Sequence, residues 1–210
     1  MRGLLAPFFK NFDGIDGVLR FKGNDFEEFN MFKKYLSPYY LWVLLSVPAI
    51  GLSIGVITAE DGRAVHEALH PTGEFAARFT IIAMMATPLV MLLPGWRGPR
   101  WLVRNRRYFG VAAFGYALLH TLFYVIDRGS VDRVMSQIGE LYIWTGWVAF
   151  LIFIPLALTS MDYALRKMGP KRWKRLQRLT YVAAGLTVLH WAALDDWGGL
   201  APALIQFSPI

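Results

Sequence analysis

The chain has 210 residues, 55% of them hydrophobic and 15% aromatic, with a formal net charge of +7 and no cysteine. A composition this apolar, gathered into long runs, excludes an ordinary soluble domain and implies an all-α, multi-pass membrane protein. The missing cysteines exclude disulfides, thiolate metal sites, iron–sulfur clusters and cysteine nucleophiles, and basic residues set in blocks between apolar runs fit loops on anionic lipid, so nucleic acid is discarded as a partner.

In chain order, residues 1–38 hold six basic and five acidic residues among Phe, Leu and Val. No sustained apolar region with a small-residue cleavage site follows the start, so the segment is expected to be retained as a cytoplasmic or interfacial arm. Five runs then approach the 17 to 25 apolar residues that cross a bilayer: Tyr39 to Ile57, Phe75 to Leu93, Tyr108 to Ile126, Leu141 to Thr159 and the shorter Leu179 to Leu194. Residues 39–194 are thus predicted to form a five-helix transmembrane bundle, the form in which backbone polar groups are satisfied in hydrocarbon. Pro88 and Pro155 lie inside spans, where kinks are tolerated. The remainder, 195–210, ending GGLAPALIQFSPI, is apolar but too short to cross and reads as a periplasmic or re-entrant tail.

The connections give the orientation. Pro94 to Arg107 carries five arginines and no acid, and Ser160 to Arg178 carries seven basic residues against Asp162. Thr58 to Glu74 has one arginine against four acids, and Asp127 to Glu140 two arginines against three. The positive-inside rule predicts a cytoplasmic amino terminus and a periplasmic carboxyl terminus in a bacterial inner membrane. Trp96, Trp101, Trp144, Trp191 and Trp197 lie at or near span ends, as an interfacial belt would.

Of the four histidines, this topology puts His66 and His70 in an outer connection, with His66 read as solvated. His120 falls six residues, and His190 four, from the outer ends of their spans. At about 1.5 Å per residue the two imidazoles share a depth in the outer half of the bilayer. Two neutral imidazoles on different helices suit a bis-histidine haem clamp. Ala113, Tyr116, Ala117 and Tyr124 share the His120 face, and Ala183, Leu186, Thr187 and Ala193 the His190 face. Small residues there leave space for a macrocycle, though they also serve helix packing. An interhelical hydrogen bond, a proton relay and a quinone site stay open as alternatives.

The stretches HPTGEFAARFT, RNRRYFGVAAFGYALLH and ALTSMDYALRKMGPKRWKRLQRLTYVAAGLTVLHW, spanning about His70 to Trp191, resemble the bacterial branch of the ferric-reductase-like transmembrane family. The resemblance is to its haem-binding subunits of periplasmic methionine sulfoxide reductase systems. It implies that His120 and His190 are axial ligands of a b-type haem and that electrons pass to a periplasmic molybdopterin enzyme. Three departures stand out. Gln177 occupies the position, thirteen before His190, where the family usually has a further histidine, so one haem is expected. The family's sixth span has no counterpart before Ile210, and the arm of about 38 residues is additional.

Two further residues are candidates for the cofactor site. His70 matches a family position and is expected either at the haem edge or near a helix cap made by Thr72. Arg78, one turn inside the second span, would pair with a haem propionate or snorkel to lipid phosphate. Arg104, Arg106 and Arg107 are explained by topology and lipid, with an FMN phosphate or an acidic reductase as the alternative. No dinucleotide fingerprint, zinc motif or nucleophile elbow is present, so an electron donor, a quinol or a flavin carrier, comes from elsewhere. Two functions are expected on these grounds: a membrane electron-transfer subunit with one haem, or a structural accessory subunit of a larger respiratory or photosynthetic complex that keeps the fold.

Overall fold

The computed structural model describes residues 38–60 and 62–194, with Ala201 and Ile205. The expected arm and carboxyl-terminal tail therefore lie almost wholly outside the described residues. Two compact units divide between Val43 and Leu44. Of the first unit only the opening of the first helix is described, and the second unit holds the helix bundle.

The described residues form helices joined by short connections, without strands: α1 (Pro38–Thr58), α2 (Arg63–Leu92), α3 (Arg97–Arg128), α4 (Val131–Ser136), α5 (Leu141–Leu158), α6 (Asp162–Met168), α7 (Pro170–Gln177) and α8 (Leu179–Ala193). Four of them, α1, α2, α3 and α5, are long and apolar enough to cross a membrane. Their outward faces are apolar as well: Leu44, Val47, Ile50, Ile54 and Ile57 of α1 are all exposed, as lipid-facing residues are. The protein is an all-α membrane protein. The fifth expected span is a helix, but α8 has 15 residues, roughly 22 Å of rise against a hydrocarbon thickness of about 30 Å.

Helix ends differ from the apolar runs in an instructive way. α2 begins at Arg63 and not near Phe75, so most of the expected outer connection is helix, and His66 and His70 stand on its first turns. α3 begins at Arg97, which puts all five arginines of the expected inner connection on a helix. Apolar counting marks the bilayer, whereas a helix continues into water for as long as its backbone is paired. The true stops have local causes. Gly129 ends α3 at φ 69, its N–H donating to Val125 and Ile126 carbonyls. Ser130 then caps α4 by accepting from the Arg133 N–H at 3.3 Å. Gly169 at φ 78 separates α6 from α7, which opens on Pro170.

Packing pairs α2 with α3 and α5 with α8. Small buried residues let the backbones approach: Ala76 and Ala77 on α2, Ala112 and Ala113 on α3, Ala183 and Ala184 on α8. Phe153, Leu156 and Ala183 form a core beside Phe114 and Ala117. At the end bearing the basic connections, Arg107 donates to Asp162 at 2.7 Å, and Trp173 Nε1–H donates to the Thr159 carbonyl at 2.9 Å. α1 is joined to this bundle by an unusual bond. Tyr116 on α3, almost fully buried, accepts from the Ala49 N–H at 2.9 Å and donates to the Leu45 carbonyl at 2.9 Å. Its hydroxyl thus bridges the donor and the acceptor of one turn of α1 beside Pro48, a third proline inside an apolar run.

Candidate functional site

The fold brings His120 of α3 and His190 of α8 close together. Their ring centroids are 6.2 Å apart and their planes cross at 86°. Both line one cavity between the α2–α3 pair and the α5–α8 pair, ≈ 740 Å³ of empty space with its open side included. The wall combines small side chains, among them Ala76, Ala77 and Ala117 from one pair and Ala149 from the other, with the larger Tyr124, Trp147, Phe150 and Phe153.

Each imidazole is fastened to a neighbouring helix. His120 Nδ1–H donates to the Leu69 carbonyl at 2.9 Å, and a Cβ built on Gly73 would stand 3.3 Å from both Nδ1 and Cε1 of that ring. His190 Nδ1–H donates to the Tyr142 carbonyl, and a Cβ on Gly146 would stand 2.8 Å from Nδ1 and 2.9 Å from Cε1. A carbonyl only accepts, so Nδ1 carries the proton of each neutral ring and Nε2 keeps its lone pair. The arrangement is two oriented imidazoles beside one another in a space lined by both small and aromatic residues.

The other expected site residues are elsewhere. His70 and Arg78 stand on α2 outside the cavity wall, joined through Glu74: Arg78 donates to the carboxylate at 2.9 Å and His70 Nε2 lies 3.5 Å from it. The His70 ring also meets the edge of Trp191, centroid to centroid 6.2 Å, and the Arg78 guanidinium covers Phe75 at 5.9 Å. Thr72 is not a helix cap, as α2 starts at Arg63; it is fully buried, donates to the Ala68 and Leu69 carbonyls at 2.8 Å and lies 3.3 Å from His120 Nδ1. His66, expected in a loop, is exposed on α2 and faces Asp127 at 3.3 Å. Gln177 sits at the opposite end of the bundle, donating to the Leu156 carbonyl and Thr159 Oγ1 at 3.3 Å. The residues that sequence reasoning missed are Gly73, Gly146 and the fully buried Thr145. Their signal was available, since Thr72-Gly73 and Thr145-Gly146 are the only Thr-Gly pairs in the chain.

Comparison with known proteins bears on this site. Residues 72–188 match the family described as the ferric reductase like transmembrane component. The chain is similar to proteins named protein-methionine-sulfoxide reductase heme-binding subunit MsrQ. It is 37% identical over 155 residues to that of Azospira oryzae, covering 72% of this chain and 65% of the relative. Against that of Rhizobium meliloti it is 36% identical over 160 residues, covering 74% and 71%, and against that of Deinococcus radiodurans 32% over 184 residues, covering 82% and 89%. No solved structure matches the chain. The matched segment opens at the Thr72-Gly73 pair, contains His120 and Gly146 and stops just short of His190; it covers more than half of the chain, and the chain belongs to the ferric reductase-like transmembrane family.

Proposed function

We propose that this protein is an electron-transfer subunit of a bacterial inner membrane that holds one b-type haem between Nε2 of His120 and Nε2 of His190. The observation that carries the reading is the pair of rings with centroids 6.2 Å apart. Two metal–imidazole bonds of about 2 Å, together with the distance from Nε2 to each ring centre, make roughly 6 Å. Two imidazoles fill only two coordination positions, and among the described residues no group of three or more His, Cys, Asp or Glu could hold a bare metal ion. An iron accepted here therefore takes its other ligands from a macrocycle, and the alanine and glycine wall leaves space for a flat one.

When bound, haem supplies the one-electron chemistry. The chain's own residues do the rest: the Leu69 and Tyr142 carbonyls hold the Nδ1 protons, Ala76, Ala77 and Ala149 leave the ring space clear, and the apolar helices exclude water. His70, Glu74 and Arg78 form a polar group on α2 outside the cavity wall. The relatives' name, a heme-binding subunit of a methionine sulfoxide reductase, supports haem; the acceptor proposed with it is a periplasmic molybdopterin enzyme and the donor a quinol or an FMN carrier. The charge pattern supports an orientation with α6 and α7 cytoplasmic and the haem near the periplasmic face.

The test is a pyridine haemochrome spectrum of purified protein. His120→Ala and His190→Ala are each expected to abolish the b-type absorbance, while His66→Ala retains it; wild-type protein that purifies without haem overturns the proposal.

A second reading, a structural subunit that keeps the fold without turnover, is favoured by Gln177. Its amide is spent on the end of α5, so the position offers no second imidazole toward the cytoplasmic side. Co-purification in a complex whose turnover leaves the haem neither reduced nor oxidised would select this reading.

A further inference from the structure

The two halves of the site repeat one another. On α2, Thr72-Gly73-x-x-Ala76 stands one turn beyond the Leu69 carbonyl that accepts from His120. On α5, Thr145-Gly146-x-x-Ala149 stands one turn beyond the Tyr142 carbonyl that accepts from His190. Thr72 and Thr145 are both fully buried, and each donates to the carbonyls three and four residues earlier. Seven residues before each histidine lies a fully buried alanine, Ala113 on α3 and Ala183 on α8. In each half the glycine keeps away from the ring a Cβ that would stand at 2.8 Å for Gly146 and at a tight 3.3 Å for Gly73, and the threonine hydroxyl is bound to the same carbonyl that takes the Nδ1 proton.

We propose that Thr72-Gly73 and Thr145-Gly146 are two copies of one imidazole-setting device, and that Gly73 and Gly146 are positioning residues which fix the two rings in the crossed orientation. The proposal rests on the haem reading. A ring can bring its Nδ1 edge this close to a helix backbone only where no Cβ intervenes. With Gly73 and Gly146 in place, each Nδ1–H reaches a carbonyl of the same turn, and that bond sets the rotation of the ring about its own axis. The planes then cross at 86°. Hydrogen bonds of this kind to the remote nitrogen are a general means of fixing a metal-binding imidazole's tautomer and basicity.

Crossed planes have a spectroscopic signature. They leave the two iron dπ orbitals nearly degenerate, so an oxidised low-spin haem gives one strongly displaced low-field electron paramagnetic resonance line. Parallel planes split these orbitals and give a rhombic three-line spectrum.

The experiment records that spectrum and the midpoint potential for purified wild type, Gly73→Ala and Gly146→Ala. Gly115→Ala and Gly185→Ala serve as controls, because a Cβ at either meets nothing within 4 Å. The wild type and both controls are expected to give the displaced single line. Gly146→Ala is expected to change line shape and potential most, as its methyl would lie 2.8 Å from His190 Nδ1, and Gly73→Ala less, at 3.3 Å. If Gly146→Ala does not fold, Gly73→Ala decides. A lost helix contact would lower haem content without altering the line shape of what is bound, so line shape separates positioning from general destabilisation. Wild-type haem with a rhombic spectrum, or alanine variants indistinguishable from the controls, overturns the device while leaving the haem reading intact. Protein without haem overturns the haem reading itself.

Discussion

Arg78 illustrates how a side chain's partner changes its meaning. A guanidinium one turn inside a span reads as a propionate partner, yet its near neighbour is Glu74 at 2.9 Å, four residues back on the same helix. The pair is partly exposed, and such i,i+4 pairs contribute under about 1 kcal/mol. Arg78→Ala is accordingly expected to keep its haem in the pyridine haemochrome assay and to shift thermal stability only slightly; loss of haem would return Arg78 to the cofactor. At this scale the histidines were legible and their seats were not. An ionisable ring deep in an apolar run is conspicuous by residue type. A backbone carbonyl is carried by every residue, so Leu69 and Tyr142 leave no trace of their role in the sequence. Only the repeated Thr-Gly pair betrays the position, and it is informative because of what glycine lacks.

Among the elements, α1 receives the Tyr116 hydroxyl beside its internal proline. Pro48 lacks an N–H, and the next residue's N–H donates to Tyr116. Tyr116→Phe leaves the Ala49 N–H and the Leu45 carbonyl without their shared partner in a buried setting, a cost of about 1–3 kcal/mol. The expected result is a lower melting temperature in detergent with haem content unchanged. Haem loss equal to that of His120→Ala would mean that Tyr116 belongs to the site. The apolar centres of α1 and α5 were readable because those helices end close to where their apolar runs end. The ends of α2 and α3 were not, because Arg63 to Glu74 and Arg97 to Arg107 are charged yet helical. Hydropathy reports the solvent around a helix and is silent on whether the helix continues.

At the scale of the molecule, one end carries the basic residues of α3, α6 and α7, and the other the paired histidines. The cysteine-free chain makes this orientation easy to test. Met135 on α4 and Met161 just before α6 are both exposed. Met135→Cys is expected to react with a membrane-impermeant maleimide in spheroplasts, and Met161→Cys only after lysis; the reverse pattern would invert the topology.

Each imidazole is anchored inside its own helix pair: α2 holds the ring carried by α3, and α5 holds the ring carried by α8. This division has a consequence in time. The first half-site is complete once α3 has been synthesised, whereas the second waits for α8, with His190 coming 70 residues after His120. At roughly 5–20 residues per second that interval is about 4–14 s. During it, a nascent chain in the membrane presents one oriented imidazole and no second. On the proposed haem reading, the ribosome's order of work thus makes His190 the residue that closes the site.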